Sequence, residues 1–122
     1  MTTGREEGWI GVDLDGTLAS YSGWKGHQHI GLPVDLMVNR VRAWLLAGTR
    51  VKIFTARVAR GPDDPTYAET VERIQNWCEV QFGVPLEITC VKDFACVEIW
   101  DDRCVQVLTN KGIPVLEPGV KR

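Results

Sequence analysis

Short apolar runs alternate with longer amphipathic ones along this chain, and that alternation restricts its fold more than any other feature. Residues 9–14, Trp-Ile-Gly-Val-Asp-Leu, form a short apolar run stopped by Gly16 and read as a buried strand. Residues 15–31 are polar and glycine-rich, hence a loop. Pro33 opens a helix at its first turn, where the N–H it lacks would have no partner. Val34, Met37, Val38, Val41, Trp44 and Leu45 then recur at helical steps as one apolar stripe, and Gly48 stands where a left-handed C-terminal cap belongs. Residues 51–55 are a second strand and 57–64 a loop. Asp64 caps the next helix, with Pro65 just inside it. That helix carries Tyr67, Val71, Ile74, Trp77 and Cys78 on one face, pairs Glu69 with Arg73, and ends near Gly83. Residues 86–91 and 96–100 are the third and fourth strands. A short helix is expected over 103–108, closed by Asn110-Lys111-Gly112, then a last strand over 113–116 and a tail from Pro118.

Strands alternating with helices make βαβ units with right-handed crossovers. The expected class is therefore α/β: a Rossmann-like three-layer sandwich on a mainly parallel sheet. A chain of 122 residues is expected to form a single domain. Its 44% hydrophobic and 25% charged residues exclude disorder as the main state. No apolar run approaches the ~20 residues of a membrane span, and the polar first residues lack the apolar stretch of a signal peptide. A net charge of −2 leaves no clear footprint for nucleic acid. Cys78, Cys90, Cys96 and Cys104 contain no CxxC pair, so a zinc knuckle is not expected. Reduced thiols, core filler and a cytoplasmic location are expected instead.

In open parallel sheets, ligands bind beyond the carboxyl ends of the strands. Asp13 and Asp15 follow the first strand, Thr55 ends the second, Lys92 and Asp93 follow the third, and Asp101 and Asp102 follow the fourth. These residue types suit a phosphate and a metal ion. Residues two apart on a strand face the same way, so Asp13 and Asp15 share one mouth if strand geometry persists. Two crowded carboxylates repel unless a cation lies between them. Gly11 and Gly16 have P-loop spacing, but Thr17 stands where Lys is needed, and Thr17 and Leu18 break an EF-hand loop. Plainer roles stand beside these: turn or helix caps for the carboxylates and Thr55, a solvated loop lysine for Lys92, a structural role for Asp93. Arg57 is a candidate phosphate contact. His27, His29 and Trp24 lie in the loop beside the mouth, as substrate contacts or ordinary surface and packing residues. Trp44 and Trp77 are core.

Val12-Asp13-Leu14-Asp15-Gly16-Thr17, then Ile53-Phe54-Thr55, Lys92, and Ile99-Trp100-Asp101-Asp102 together resemble the four ordered motifs of the haloacid dehalogenase superfamily. The resemblance implies a Mg²⁺-dependent phosphatase. Asp13 would be the nucleophile that forms an aspartyl-phosphate, and Asp15 the general acid and base. Thr55 would donate its hydroxyl to the phosphoryl oxygens, and Lys92 would neutralise charge on the nucleophile and the phosphate. Asp101, supported by Asp102, would hold Mg²⁺ with the Asp13 carboxylate and the Asp15 backbone carbonyl. Residues 55–57, Thr-Ala-Arg, are similar to a stretch in the phosphatase domains of polynucleotide kinase-phosphatases. Neither inter-motif segment is long enough for the cap domain usual in this family. An uncapped mouth suits a bulky or polymeric phosphorylated substrate, or a lid from a partner subunit in an oligomer, with residues 20–31 as a small flap. The alternatives are a noncatalytic phosphate- or metal-binding module and a polynucleotide end-phosphatase.

Overall fold

The computed structural model describes residues 8–117. Strand β1 (Trp9–Val12) is buried at every position. It lies inside a four-stranded sheet of order β3-β2-β1-β4, with β2 (Arg50–Phe54), β3 (Glu87–Thr89) and β4 (Cys96–Trp100). All three pairings are parallel, as expected for βαβ units. Helix α1 (Asp35–Leu46) links β1 to β2, and α2 (Tyr67–Phe82) links β2 to β3. The fold is thus α/β on a parallel sheet, consistent with a Rossmann-like sandwich. Among the described residues no helix is long and apolar enough to cross a membrane.

Met37, Val38 and Val41 of α1 join Ile74 and Cys78 of α2 in one core with Ile10, Val12, Val51 and Ile53. Both helices therefore pack on the same sheet face. Right-handed crossovers require this, since β1 to β2 and β2 to β3 step the same way. The step from β3 to β4 runs back across the sheet, and the same rule sends it over the opposite face. Residues 90–95 make that crossing as a strap without a helix. Trp9 anchors it: its indole N–H donates to Asp93 Oδ1 at 2.9 Å, and its backbone N–H donates to the Ala95 carbonyl at 2.9 Å. The Lys52 ammonium lies 4.5 Å from the Trp9 ring centre on this side. A Cβ at Gly11 would press on the Trp9 and Phe54 rings, which explains a glycine in a buried strand. The layer on this face is correspondingly thin.

Several boundaries differ from those the sequence suggests. The strand stops at Val12 because Leu14 turns its carbonyl to the N–H groups of Leu18 and Ala19, at 3.0 and 2.8 Å. Pro33 precedes α1 and bridges to Ala19 rather than opening the helix. At the other end, Gly48 takes φ +84° and closes α1 as anticipated. Its N–H reaches the Leu45 carbonyl at 3.1 Å, and that of Thr49 reaches Trp44 at 2.9 Å. Asp64 and Pro65 stand before α2 and not at its cap and first turn: Thr66 is the N-cap, and Asp64 accepts the Thr66 N–H at 2.8 Å in the preceding turn. Glu69 and Arg73 form their ion pair at 3.6 Å. β3 is shorter than anticipated, because Thr89 Oγ1 takes the Val91 N–H and ends the ladder.

The C-terminal expectations are corrected. Residues 103–108 are not helical, and 113–116 make no strand. The chain instead turns back on itself: Leu108 N–H donates to Ile113 O and Val115 N–H to Gln106 O, both at 2.8 Å. Asn110 supplies the left-handed turn residue at φ 64°. The β-branched Val105, Val107 and Thr109 disfavour a helix, and Pro114 lacks the N–H to extend a ladder. The expected tail from Pro118 lies outside the described residues.

Loop 20–31 is pinched at its ends. Ser20 N–H donates to the Leu32 carbonyl at 2.8 Å, and Trp77 Nε1 donates to Gly31 O at 3.2 Å. A Cβ on Gly31 would collide with the Ser20 carbonyl oxygen. Gly31→Ala is therefore expected to cost about 1–3 kcal/mol in urea unfolding. Unchanged stability would mean that the pinch is soft.

Candidate functional site

A cavity of about 930 Å³ opens at the carboxyl end of the sheet, lined by Asp13, Asp15, Thr55, Arg57, Asp101 and Asp102 among others. Asp13 follows β1, Thr55 follows β2, and Asp101 follows β4. β1 is where the strand order reverses, with β2 and β3 on one side and β4 on the other. Crossovers diverge there to opposite faces, leaving a crevice above the strand ends.

Carboxylate oxygens of Asp13, Asp101 and Asp102 all lie within 4.8 Å of one another. Burial pushes the Asp13 carboxyl up to about 7, and the Asp101 and Asp102 charges add to this. The cluster is built by backbone. Asp13 N–H still joins the ladder to Trp100 O at 2.9 Å, carrying its side chain beyond the last paired residue. Thr17 Oγ1 donates to Asp13 Oδ2 at 3.4 Å and accepts the Asp102 N–H at 3.1 Å. Gly16 has φ +90°, and a Cβ there would stand 2.6 Å from Asp102 Oδ2. The glycine thus serves both the turn and the close approach of Asp102. Asp101 Oδ1 also accepts the Arg103 N–H at 2.7 Å, so the capping role falls to Asp101 while it stays in the cluster. An all-carboxylate donor set whose members repel one another fits a hard divalent cation such as Mg²⁺.

Asp15 stands apart from that trio. Its two oxygens accept from Arg57 Nε and Nη2, each at 2.8 Å, a bidentate pair. Arg57 also donates to the carbonyls of His29 and His27, at 2.8 and 3.4 Å. The Trp24 ring lies 4.8 Å from its guanidinium carbon. The Arg57 side chain is only 5% exposed. Arg57, the candidate phosphate contact, lines the cavity and joins Asp15 to loop 20–31. His27 Nε2 and Gln28 Nε2 fasten the same loop to Glu69 of α2 at 2.8 and 2.9 Å.

Thr55 is buried on the cavity wall, and its hydroxyl accepts the Arg57 N–H at 3.1 Å. Lys92 is not brought to the cavity. It is exposed on the strap, where its charge bears on the Cys96 thiol, because the crossing carries it away from the strand ends. Asp93 is structural, as expected, through its bond to Trp9. His29 contributes its carbonyl to Arg57. Sequence reasoning passed over Thr17, Tyr21, Arg60, Tyr67, Glu69 and Arg103. Thr17 carried a signal as the last residue of the first motif, and Tyr21, Arg60 and Arg103 lie in segments already placed beside the mouth; Tyr67 lines the cavity from α2, and Glu69 acts on it only through His27 and Gln28.

No family model matches the chain, and no curated protein matches it. A solved structure of a conserved protein coded by a locus from Bacteroides thetaiotaomicron is similar over 79% of this chain and 76% of that one. The TM-score is 0.52 and the identity 18%, a likeness of fold alone.

The raised Asp13 carboxyl bears on stability. A folded-state value near 7 against an ordinary one near 4 means the folded chain binds this proton more tightly. Stability from this group therefore falls as pH rises from about 4 to about 7 and stays low above. With no divalent cation present, Asp13→Asn is expected to melt above the wild type at pH 8. The gap should shrink at pH 5 and on adding Mg²⁺. Equal melting temperatures at pH 8 would show that the repulsion is relieved in another way.

Proposed function

We propose that this chain is a Mg²⁺-dependent phosphomonoesterase of the haloacid dehalogenase type, working through an aspartyl-phosphate on Asp13. The observation that carries this reading is the meeting of Asp13, Asp101 and Asp102 within 4.8 Å at the reversal of strand order. These are the residues that the resemblance assigns to nucleophile and metal. Mg²⁺ held by these three carboxylates would neutralise charge between an anionic nucleophile and an anionic ester. A carboxylate oxygen of Asp13 attacks phosphorus, and the bond from phosphorus to the ester oxygen breaks. Asp15 gives that oxygen its proton. Water then attacks the same phosphorus, Asp15 takes the water's proton, and phosphate leaves with Asp13 restored.

Arg57 orients Asp15 by gripping both its oxygens, and each oxygen keeps a second lone pair on which to carry the proton. The Thr55 hydroxyl, which accepts from the Arg57 N–H, directs its own proton to a phosphoryl oxygen. Lys92 stands outside the cavity, and the reading assigns it no bond. Free thiols at Cys78, Cys90, Cys96 and Cys104 suit a reducing, cytoplasmic setting. One observation favours a second reading, a noncatalytic phosphate- or metal-binding module: Asp15 and Arg57 are occupied with each other.

The two readings part on turnover. Release of inorganic phosphate from a panel of monoesters is expected with Mg²⁺, and chelation should abolish it. Asp13→Asn should lower kcat by more than about 1,000-fold. Saturable Mg²⁺ binding with no turnover of any ester supports the module. Wild-type rates from Asp13→Asn would overturn the phosphatase reading.

A further inference from the structure

The cavity is far larger than a phosphate. Its volume of about 930 Å³ lies near the top of the range for organic ligands, roughly 300–1,000 Å³. Its outer wall carries Tyr21 and Trp24 from loop 20–31 and Tyr67 from the start of α2. Trp24 is 59% exposed and Tyr21 50% exposed. Aromatic rings gathered on the wall of one cavity are the usual lining of a site for an organic ligand. Trp24 is also backed by a charged partner. One part of its ring system is covered by the Arg57 guanidinium, itself fixed by four hydrogen bonds to Asp15, His27 and His29. A ring backed by a fixed guanidinium gives up less freedom when another ring stacks on it.

We propose that Trp24 is a stacking platform for a heteroaromatic base and that the substrate is a nucleotide, free or at the phosphorylated end of a single strand. The proposal deepens the phosphatase reading and rests on it for the phosphate. Spacing selects the class. Arg57 touches both groups: its Nε and Nη2 bond the Asp15 carboxylate at 2.8 Å and its guanidinium carbon lies 4.8 Å from the Trp24 ring centre, so a ring on Trp24 lies beside the acid and not on it. A sugar spans that gap in a nucleotide, whereas an aryl phosphate has its ring one oxygen from phosphorus. Arg60, 88% exposed and paired only loosely with Asp64 at 3.7 Å, adds a cation at the rim for a further phosphate. A strand end bound by stacking and a few cations needs no broad basic face, so the net charge of −2 is no obstacle.

The test compares kcat/KM, with Mg²⁺, across nucleoside 3′- and 5′-monophosphates, phosphorylated oligothymidylates, glycerol phosphate, glucose 6-phosphate and a phosphotyrosine peptide. Nucleotides are expected to exceed the ring-free esters and the peptide by at least about 10-fold. Trp24→Ala should shrink that preference by about 10-fold, and Trp24→Phe should keep most of it. The ratio cancels any general effect of loosening Arg57. The mononucleotide and oligonucleotide arms distinguish the free ligand from the strand end. A preference for ring-free or tyrosyl esters, or a nucleotide preference unmoved by Trp24→Ala, would overturn the proposal and leave the phosphatase standing. Turnover of nothing would sink the phosphatase reading instead. The platform is then judged by tryptophan fluorescence: saturable quenching by thymidine monophosphate, lost in Trp24→Ala, supports it, and no quenching overturns it.

Discussion

Mutual repulsion among Asp13, Asp101 and Asp102 is the constraint around which the upper half of this molecule is arranged. Three carboxylates within 4.8 Å are unfavourable together, and partial burial of Asp13 sharpens the cost. The fold holds them there with backbone. Asp13 is still tied to the ladder through Trp100, Asp102 is positioned through Thr17, and Asp101 caps its own turn. Rigid elements on two neighbouring strands thus support a charge arrangement that loose loops would relax. That is the condition for a preorganised cation site.

Arg57 is the second organising centre, and it works by attraction. A single guanidinium satisfies both oxygens of Asp15, two carbonyls of loop 20–31 and the face of Trp24. Its planar fork suits such a hub, since several donors are oriented at once with little loss of freedom. The loop is thereby joined to the Asp15 carboxylate. Glu69 adds a second fastening from α2, through His27 and Gln28. A change in the loop is a change at Asp15, which makes residues 20–31 part of the cavity wall.

The two sheet faces are unequal for a topological reason. Two helical crossovers cover one face with a continuous core, whereas the return from β3 to β4 covers the other with the strap at residues 90–95. That asymmetry explains why Trp9, Lys52 and Asp93 are bound together on the thin side. It also explains why Lys92 stands away from the acidic trio.

Periodicity and punctuation were enough to determine the class of fold, the two helices with their Gly48 and Gly83 ends, and the strand-end position of Asp13, Thr55, Asp101 and Asp102. These depend on neighbours close in sequence: an apolar stripe, a left-handed glycine, a carboxylate just past a buried run. The tertiary structure alone decided how those residues are used. Asp13 met Asp101 and Asp102, but Asp15 and Arg57 found each other, because the Leu14 turn and the short helical turn Ala56–Val58 aim them together. The helix expected at 103–108 gave way to a turned-back segment, where β-branched side chains opposed the weak local pattern. Lys92 shows the same limit, since its direction follows from a crossover that no local pattern encodes. Side-chain partnership is a matter of distances between segments far apart in the chain, and spacing along a sequence carries no such distances.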